Sequence, residues 1–260
     1  MNILFVGDVV GKSGREKLIS SIKDLKIKYD IDFTIVNGEN SAHGKGITKK
    51  IYNQFINEGI DCITLGNHSF SKEILLTYID ELDNLIRPIN LSPVEYGNFY
   101  KVYNIKSLKV CVTNIMCNGF MNRVVQSPFE SMDYILDIVD ADIFIVDLHG
   151  ESTAEKIAFA YNYSDRVHAV IGTHTHVQTA DERIIGKLAF ISDVGMTGPY
   201  ESVIGRDIDE ILSLLVHKEK TKFTVANGEA VLSAVVIHID EKNLKSNDIE
   251  RILIKPKNHN

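Results

Sequence analysis

The feature that most constrains the fold of this chain is a regular alternation of short apolar runs with longer segments of helical period. Short apolar runs bounded by turn residues predict strands, and apolar residues three or four positions apart predict amphipathic helices. The predicted strands are Ile3–Gly7, Phe33–Val36, Cys62–Leu65, Lys109–Asn114, Ile143–Leu148, His168–Gly172, Leu188–Ser192 and Val231–Ile239. The predicted helices are Arg15–Tyr29, Lys49–Glu58, Ser71–Leu82, Glu130–Val139, Thr153–Tyr161 and Asp207–Val216, with Ser13, Ser71 and Asp207 as candidate caps. This order of elements is typical of an α/β protein.

Two architectures are compatible with this alternation, a (β/α)₈ barrel and a layered sandwich. A chain of 260 residues is long enough for the barrel. However, the segment between Gly172 and Leu188 is too short and too polar for the crossover helix that consecutive parallel barrel strands require. We therefore predict a sandwich of mixed sheets. Because no repeat, low-complexity tract or Pro/Ser-rich linker interrupts the chain, residues 1–260 are expected to form one domain.

The composition limits the classes of function. A net charge of -7 and a pI near 5.7 argue against a protein that binds long nucleic acid, which requires clustered lysine and arginine. A small anionic substrate stays compatible with this charge, because bound cations reverse the local potential. The aromatic residues are dispersed and form no stacking platform for single strands.

The three cysteines, Cys62, Cys111 and Cys117, have no CxxC spacing, so buried reduced thiols are expected. The N-terminal segment Met1–Val6 lacks a basic leader, and no apolar run reaches the length of a membrane span. We therefore expect a cytoplasmic protein with no membrane partner.

Side chains that can bind metal ions follow five of the predicted strands. In chain order they are Asp8, Glu39, Asn40, Asn67, His149, His174 and His176. Because ligands of open α/β sheets gather beyond the carboxyl ends of the strands, these side chains are expected to converge. Each carboxylate or amide taken alone has an ordinary alternative role as a helix cap or turn former. That alternative does not account for the whole set.

The types of these side chains indicate a two-metal site. If the chain stays extended, His174 and His176 point to the same side, because residues two apart on a strand share a face. Oxygen and imidazole donors without thiolate suit iron, manganese or zinc. Only Glu39 is suited to bridge two ions, and a bridged pair about 3.5–4 Å apart clamps an in-line phosphoryl displacement.

These motifs resemble those of the calcineurin-like metallophosphoesterases and, in their fuller form, the bacterial YmdB-like subfamily. The matching segments are residues 7–11, 37–46, 66–68, 172–181 and 193–199, together with His149. The resemblance extends from Ile3 to about Ile254. It implies a four-layer α/β/β/α sandwich, a di-iron or similar centre, and hydrolysis of cyclic nucleotides, particularly 2′,3′-cyclic ones. A homo-oligomer is plausible for this subfamily, although no heptad pattern in the chain indicates one.

The resemblance also implies a role for each site residue. One ion would be bound by Asp8, Glu39, Asn40 and His176. The other ion would be bound by Glu39, Asn67, His149 and His174. His68 would be the proton donor that faces the substrate.

Two departures separate this chain from the wider superfamily. The usual first motif is Asp-x-His, but Val10 occupies the histidine position. The usual acidic residue after the motif histidine is replaced by Ser69, so a carboxylate that tunes His68 must come from elsewhere or be absent. Val10 fits the YmdB-like pattern.

Several other motifs have competing interpretations. Residues 7–13 resemble a P-loop, but only three residues separate Gly7 from Gly11, where four are required, so Lys12 is expected to be solvated. His43 lies in a glycine-flanked loop and is either a substrate contact or an ordinary loop histidine. Asp193 and Gly195 either support the rim of the site or form a turn. The structural or surface histidines are expected to be His168, His217, His238 and His259.

The resulting hypothesis is a phosphodiesterase in which a bridging hydroxide attacks phosphorus and His68 protonates the departing ribose oxygen. Two alternatives stay open. A phosphomonoesterase would use the same centre, and a nucleotide-sensing regulatory protein would keep the metal with little turnover.

Overall fold

The fold comes from a computed structural model, which describes residues 1–256. The strands are β1 (Asn2–Val6), β2 (Asp8–Val9), β3 (Phe33–Asn37), β4 (Cys62–Thr64), β5 (Leu85–Ile86), β6 (Tyr100–Ile105), β7 (Leu108–Met116), β8 (Ile143–His149), β9 (Ala169–Thr173), β10 (Arg183–Ile185), β11 (Leu188–Ile191), β12 (Met196–Pro199), β13 (Ala230–Asp240) and β14 (Lys245–Ile254). The helices are α1 (Gly11–Lys28), α2 (Lys49–Asn57), α3 (Pro128–Ile138), α4 (Thr153–Asn162) and α5 (Ile208–Leu215).

The strands form two mixed sheets. The first sheet has the order β2-β12-β13-β1-β3-β4-β5, with β14 also paired to β13. Its strands β1, β3, β4 and β5 are parallel, whereas β13 is antiparallel to β1 and β14. The second sheet has the order β10-β11-β9-β8-β7-β6, with parallel central strands and antiparallel edge strands β6 and β10. In each sheet the parallel strands therefore end at one common edge.

Three apolar layers hold the sheets and helices together. Alternate residues of β1 point to opposite faces, so that Phe5 packs between the sheets and Leu4 packs under α1 and α2. The outer face of the second sheet packs against α3 and α4 through residues such as Phe159. Full burial of each large apolar side chain stabilises the folded state by about 1.5–3 kcal/mol. The predicted four-layer α/β/β/α sandwich is confirmed.

The eight predicted strands are all present with shifted ends, and five of the six predicted helices are present. Six strands were not predicted: β2, β5, β6, β10, β12 and β14. Two of them, β2 and β5, have two residues each, and β14 is rich in polar side chains. The segment between Gly172 and Leu188 contains no helix, because the chain returns through β10 instead.

The predicted helix Ser71–Leu82 is wrong. Two short 3₁₀ helices, Glu73–Thr77 and Ile79–Glu81, occupy this segment. Tyr78 between them has φ -146°, which is outside the helical region, and its hydroxyl accepts a hydrogen bond from the Lys49 backbone. Tertiary packing against α2 therefore overrides the local helical period.

The predicted caps are confirmed at one position. Asp207 caps α5 by accepting a hydrogen bond from the Glu210 backbone. Ser13 lies inside α1, which begins at Gly11 without a side-chain cap, and no helix begins at Ser71.

The remaining structural predictions concern cysteines and outlying histidines. All three cysteines are buried and free, as predicted. His168 is buried and accepts a hydrogen bond from the Phe144 backbone, and His238 contacts Asn2, so both have structural roles. His217 is exposed, and His259 lies outside the described residues. Within residues 1–256, no helix has the length and apolar character needed to cross a bilayer.

Candidate metal centre

The two sheets bring the seven predicted ligands together. Asp8 is the first residue of β2, separated from the end of β1 by one residue, while Glu39 and Asn40 follow β3 and Asn67 follows β4 in the first sheet. His149 ends β8 in the second sheet, and the two remaining histidines follow β9. Because the parallel strands of each sheet end at one edge, side chains far apart in sequence become neighbours.

The first group of ligands contains Asp8, Asn40 and His176. The Nε2 atom of His176 lies 3.1 Å from Asn40 Nδ2 and 3.8 Å from Asp8 Oδ1. Asn40 Nδ2 also donates to Glu39 Oε1 at 3.2 Å. A half-turn of the Asn40 amide exchanges this nitrogen for an oxygen, which is the atom that binds a metal ion.

The second group contains Asn67, His149 and His174. The Nε2 atom of His149 lies 2.9 Å from Asn67 Oδ1, 3.2 Å from His174 Nδ1 and 3.3 Å from Glu39 Oε1. Glu39, His149 and His174 place ligand atoms within 4.8 Å of one another. Glu39 therefore contacts both groups and lies between them.

Hydrogen bonds outside the cluster orient two of the imidazoles. His176 donates from Nδ1 to the Ile204 carbonyl at 2.8 Å, so its Nε2 lone pair faces the first group. His174 Nε2 lies 3.2 Å from Glu151 Oε2, so its Nδ1 lone pair faces the second group. Metal-binding histidines usually donate their other N–H in this way, which fixes the tautomer.

His149 is oriented through a buried relay. The Thr173 hydroxyl donates to Asp147 Oδ1 at 2.6 Å, and it therefore accepts from the Nδ1–H of His149 at 2.8 Å. Asp147 also accepts hydrogen bonds from Asn37 Nδ2, at 3.0 Å, and from the Thr64 hydroxyl. These partners belong to β3, β4 and β9, so the carboxylate of Asp147 joins both sheets directly beneath the cluster.

The electrostatics of the cluster favour a cation. Burial raises the pKa of the Asp8 carboxyl to about 7, and its Oδ1 atom has no hydrogen-bond partner. Burial lowers the pKa of His149, but the carboxylates of Glu39, Asp8 and Asp147 together outweigh burial and raise the pKa to about 9. His149 without a metal therefore carries a proton on Nε2, at the point where the second group meets. A bound cation would replace that proton, as metal binding commonly does.

Gly66 leaves the space that the cluster needs. A Cβ atom at this position would lie 2.4 Å from Glu39 Oε2 and 2.4 Å from His149 Nε2. Any other residue would push these two ligands apart. The donor types, the unpartnered Asp8 oxygen and this glycine together fit a pair of metal ions.

The His174–His176 loop does not stay extended, contrary to the geometry assumed from the sequence. His174 has φ 102° and His176 has φ 67°, both in the left-handed region. Such positions typically cost about 1–3 kcal/mol each and persist where surrounding contacts impose them. Asp193 supplies those contacts: its Oδ2 atom accepts from the Thr175 backbone at 2.9 Å and lies 3.3 Å from Lys156 Nζ.

His68 lines a cavity of about 210 Å³ beside the cluster. Its backbone N–H donates to Glu39 Oε2 at 2.9 Å, and its Nδ1 atom lies 3.3 Å from the Ser71 hydroxyl. Burial lowers the pKa of the His68 imidazole, and the Glu39 carboxylate opposes that shift. His43 does not line this cavity but a neighbouring one, which also contains Gly11, Lys12 and Ser13 and shares Phe223 with the first.

Several residues of the site were missed by the sequence analysis. They are Asp147, Glu151, Thr173, Ile204, Arg206 and Phe223. An available signal for Asp147 was its charge inside the apolar strand Ile143–Leu148. Glu151 lies two residues after His149, and this short separation was a signal that could have identified it. Arg206 and Phe223 flank α5 and carried no signal, because their proximity to the cluster depends on the tertiary fold.

The relay predicts the effect of a substitution at Thr173. Thr173→Val keeps the volume but removes the hydroxyl that holds His149, so affinity for the ion bound by the second group should fall about 10- to 100-fold. Thr173→Ser keeps the hydroxyl and is the matched control. Chelator competition measures the affinity, and thermal unfolding reports any general damage. Equal metal affinity in the valine and serine variants would contradict the relay.

Comparison with known proteins places the chain in a family. Residues 4–252 match the family model described as YmdB-like protein. The chain is 42% identical, over 98% of its length and 97% of the relative, to the 2′,3′-cyclic-nucleotide 2′-phosphodiesterase of Bacillus subtilis. A crystal structure of a novel phosphatase from Mycoplasma pneumoniae matches with a TM-score of 0.94 at 34% identity, covering 98% and 93% of the two chains. A hypothetical protein from Thermus thermophilus matches with a TM-score of 0.91 at 30% identity, covering 98% and 99%. The chain therefore belongs to the YmdB-like protein family.

Proposed function

We propose that this chain is a metal-dependent phosphodiesterase that hydrolyses 2′,3′-cyclic nucleotides at a two-ion centre. The observation that carries the proposal is the position of Glu39 between two groups of oxygen and imidazole donors. A carboxylate shared by two groups is the arrangement that holds two ions for phosphoryl displacement.

In this proposal, each group of donors holds one ion. Asp8, Asn40 and His176 hold the first, Asn67, His149 and His174 hold the second, and Glu39 contributes to both. The ions are iron, with manganese or zinc as alternatives for the same donor types. When bound, they activate water for attack and neutralise charge on the phosphoryl oxygens.

The residues of the chain supply orientation and a proton. The Glu151, Ile204 and Thr173 contacts keep a lone pair of each imidazole directed inward. His68 lines the same cavity and donates a proton to the departing ribose oxygen. Since burial disfavours its imidazolium, the negative charge of a bound phosphodiester is needed to favour the protonated form.

The choice of substrate is supported by the position of the cavity, the net charge and the relatives. The cavity of about 210 Å³ lies directly beside the cluster, so a ligand in it can reach the donors of the proposed ions. The net charge of -7 disfavours long nucleic acid. The name of the Bacillus subtilis relative supports a 2′,3′-cyclic nucleotide. A phosphomonoesterase is the second candidate, because the Mycoplasma pneumoniae structure is described as a phosphatase.

The direct test compares substrates before and after metal removal. Protein purified without oxygen and analysed for metal should contain two ions per chain and hydrolyse 2′,3′-cyclic nucleotides faster than phosphomonoesters. Chelation should abolish turnover, and readdition of iron or manganese should restore it. Preference for phosphomonoesters would favour the second candidate. Turnover that survives complete metal removal would overturn metal dependence.

Glu39→Gln should impair metal retention more than any other single change among the ligands. The substitution removes the carboxylate charge that both ions share, while it keeps the size of the side chain. Metal content per chain after desalting is the measurement. Glu155→Gln, which changes a carboxylate outside the ligand set, is the control and should retain both ions. Two tightly bound ions in Glu39→Gln would rule out bridging.

His68→Ala should keep both ions but slow the reaction. Loss of a general acid typically costs about 10²–10⁴-fold in rate, and this cost should appear with a cyclic nucleotide, whose alkoxide leaves poorly. An aryl phosphodiester, whose leaving group needs no proton, should be affected much less. His217→Ala, at an exposed histidine, is the control. Equal losses on both substrates at full metal content would show that His68 does not donate the proton.

A further inference from the structure

The cavity beside the metal centre has two chemically different sides. One side is formed by the imidazole, amide and carboxylate side chains of the candidate metal centre and by His68. The other side, here called the apolar wall, is formed by Ile204, Gly205, Arg206 and Phe223. The apolar wall contributes no candidate ligand itself, so the chemistry of Arg206 and Phe223 needs a separate explanation.

The apolar wall is a firmly built surface. Its two halves flank α5 and pair with each other through backbone hydrogen bonds. Asp207 N donates to the Thr224 carbonyl at 3.1 Å, and Ala226 N donates to the Gly205 carbonyl at 3.0 Å. Ile204 also accepts the hydrogen bond from His176 Nδ1. These hydrogen bonds connect the apolar wall to His176, one of the proposed ligands.

Phe223 presents an aromatic ring to the cavity. The residue is 39% exposed, so part of its ring is accessible to a ligand. It packs against the backbone of Gly44, where a Cβ atom would lie only 2.5 Å from Phe223 Cε1. The Arg206 guanidinium and the Lys45 ammonium both lie over the ring, with the guanidinium carbon and Lys45 Nζ each 4.7 Å from the ring centroid. The ring and the guanidinium together offer two flat, polarisable groups.

The charge of Arg206 is paired inside the protein, which affects the class of ligand that the apolar wall suits. Arg206 forms an ion pair with Glu210, and Glu210 in turn accepts a hydrogen bond from the Thr224 backbone at 2.6 Å. The guanidinium charge is therefore balanced within the protein. A paired guanidinium stacked on an aromatic ring suits a flat uncharged ring. The Lys45 side chain is long and flexible, and it must move aside for such a ring to stack on Phe223.

We propose that the apolar wall binds the nucleobase of the substrate by stacking on Phe223 and Arg206, while the metal centre takes the phosphoryl group. This proposal rests on the proposed function and adds a binding site for the base. Because stacking uses the face that every base shares, the site should accept all four bases with small differences in KM.

The test uses two substrates that differ only in the base: adenosine 2′,3′-cyclic phosphate and ribose 2′,3′-cyclic phosphate. The wild-type protein should show a KM roughly 10- to 100-fold lower for the nucleotide, since stacking on one aromatic side chain supplies a gain of that size. Phe223→Ala should raise the KM for the nucleotide towards that of the ribose compound. The kcat values and the KM for the ribose compound should change little.

Two further variants separate stacking from damage to the fold. Phe223→Tyr keeps the ring and should retain the low KM for the nucleotide. Leu215→Ala, at an exposed position on α5 outside the cavity, should behave as wild type. Thermal unfolding of each variant shows whether the segment still folds. Equal KM values of wild type for the two substrates, or equal effects of Phe223→Ala on both, would overturn the proposal.

The proposal can fail separately from the proposed function. If the metal-loaded protein hydrolyses neither substrate, the phosphodiesterase proposal fails, and equilibrium binding of adenosine 2′,3′-cyclic phosphate becomes the measurement. Binding that weakens roughly 10-fold or more in Phe223→Ala and is restored in Phe223→Tyr would support the apolar wall as a base site. Binding that is absent or independent of Phe223 would overturn it.

Discussion

The buried carboxylate of Asp147 is the interaction on which the candidate site depends. It lies between the two sheets and accepts hydrogen bonds from Asn37, Thr64 and Thr173, which come from both of them. A buried charge without partners would cost several kcal/mol, so these partners hold the strand ends at fixed positions around it. Through Thr173 the carboxylate orients His149, and through Asn37 it reaches the Glu39 backbone, which donates to Asn37 Oδ1 at 3.1 Å.

The side chains of the cluster above this carboxylate are held in place by hydrogen bonds, but burial disfavours the charged forms of several of them. Burial raises the pKa of Asp8 to about 7 and lowers the pKa of His174 to about 3, so each disfavours its charged form. His149 with its raised pKa holds a proton among the carboxylates. Bound cations would relieve this arrangement, since they attract carboxylates and accept imidazole lone pairs. The backbone of the His174–His176 loop is strained as well. Asp193 holds this loop so that both imidazoles face the cluster.

The cavity beside the candidate metal centre is the place where a substrate would bind. His68 and the cluster form its polar side, and the segments around α5 form the apolar wall. The two sides are coupled through Ile204, whose carbonyl orients His176. A ligand with an anionic group at one end and a flat ring at the other matches this division. A nucleotide has that form, and so the proposed reaction and the proposed base site support the same class of substrate.

The sequence by itself determined the α/β alternation, the sandwich and the seven candidate ligands at strand ends, because hydrophobic period and the order of elements along the chain can be read from the sequence. The family motifs added the pairing of the ligands with two ions. The sequence did not determine the 3₁₀ conformation of residues 73–81 or the polar strand β14, since long-range packing overrides local preference there. Only the tertiary structure showed that Asp147 joins the sheets, that His43 lies outside the cavity, and that Arg206 and Phe223 lie inside it. These relations depend on the distances between segments far apart in sequence, which no local pattern encodes.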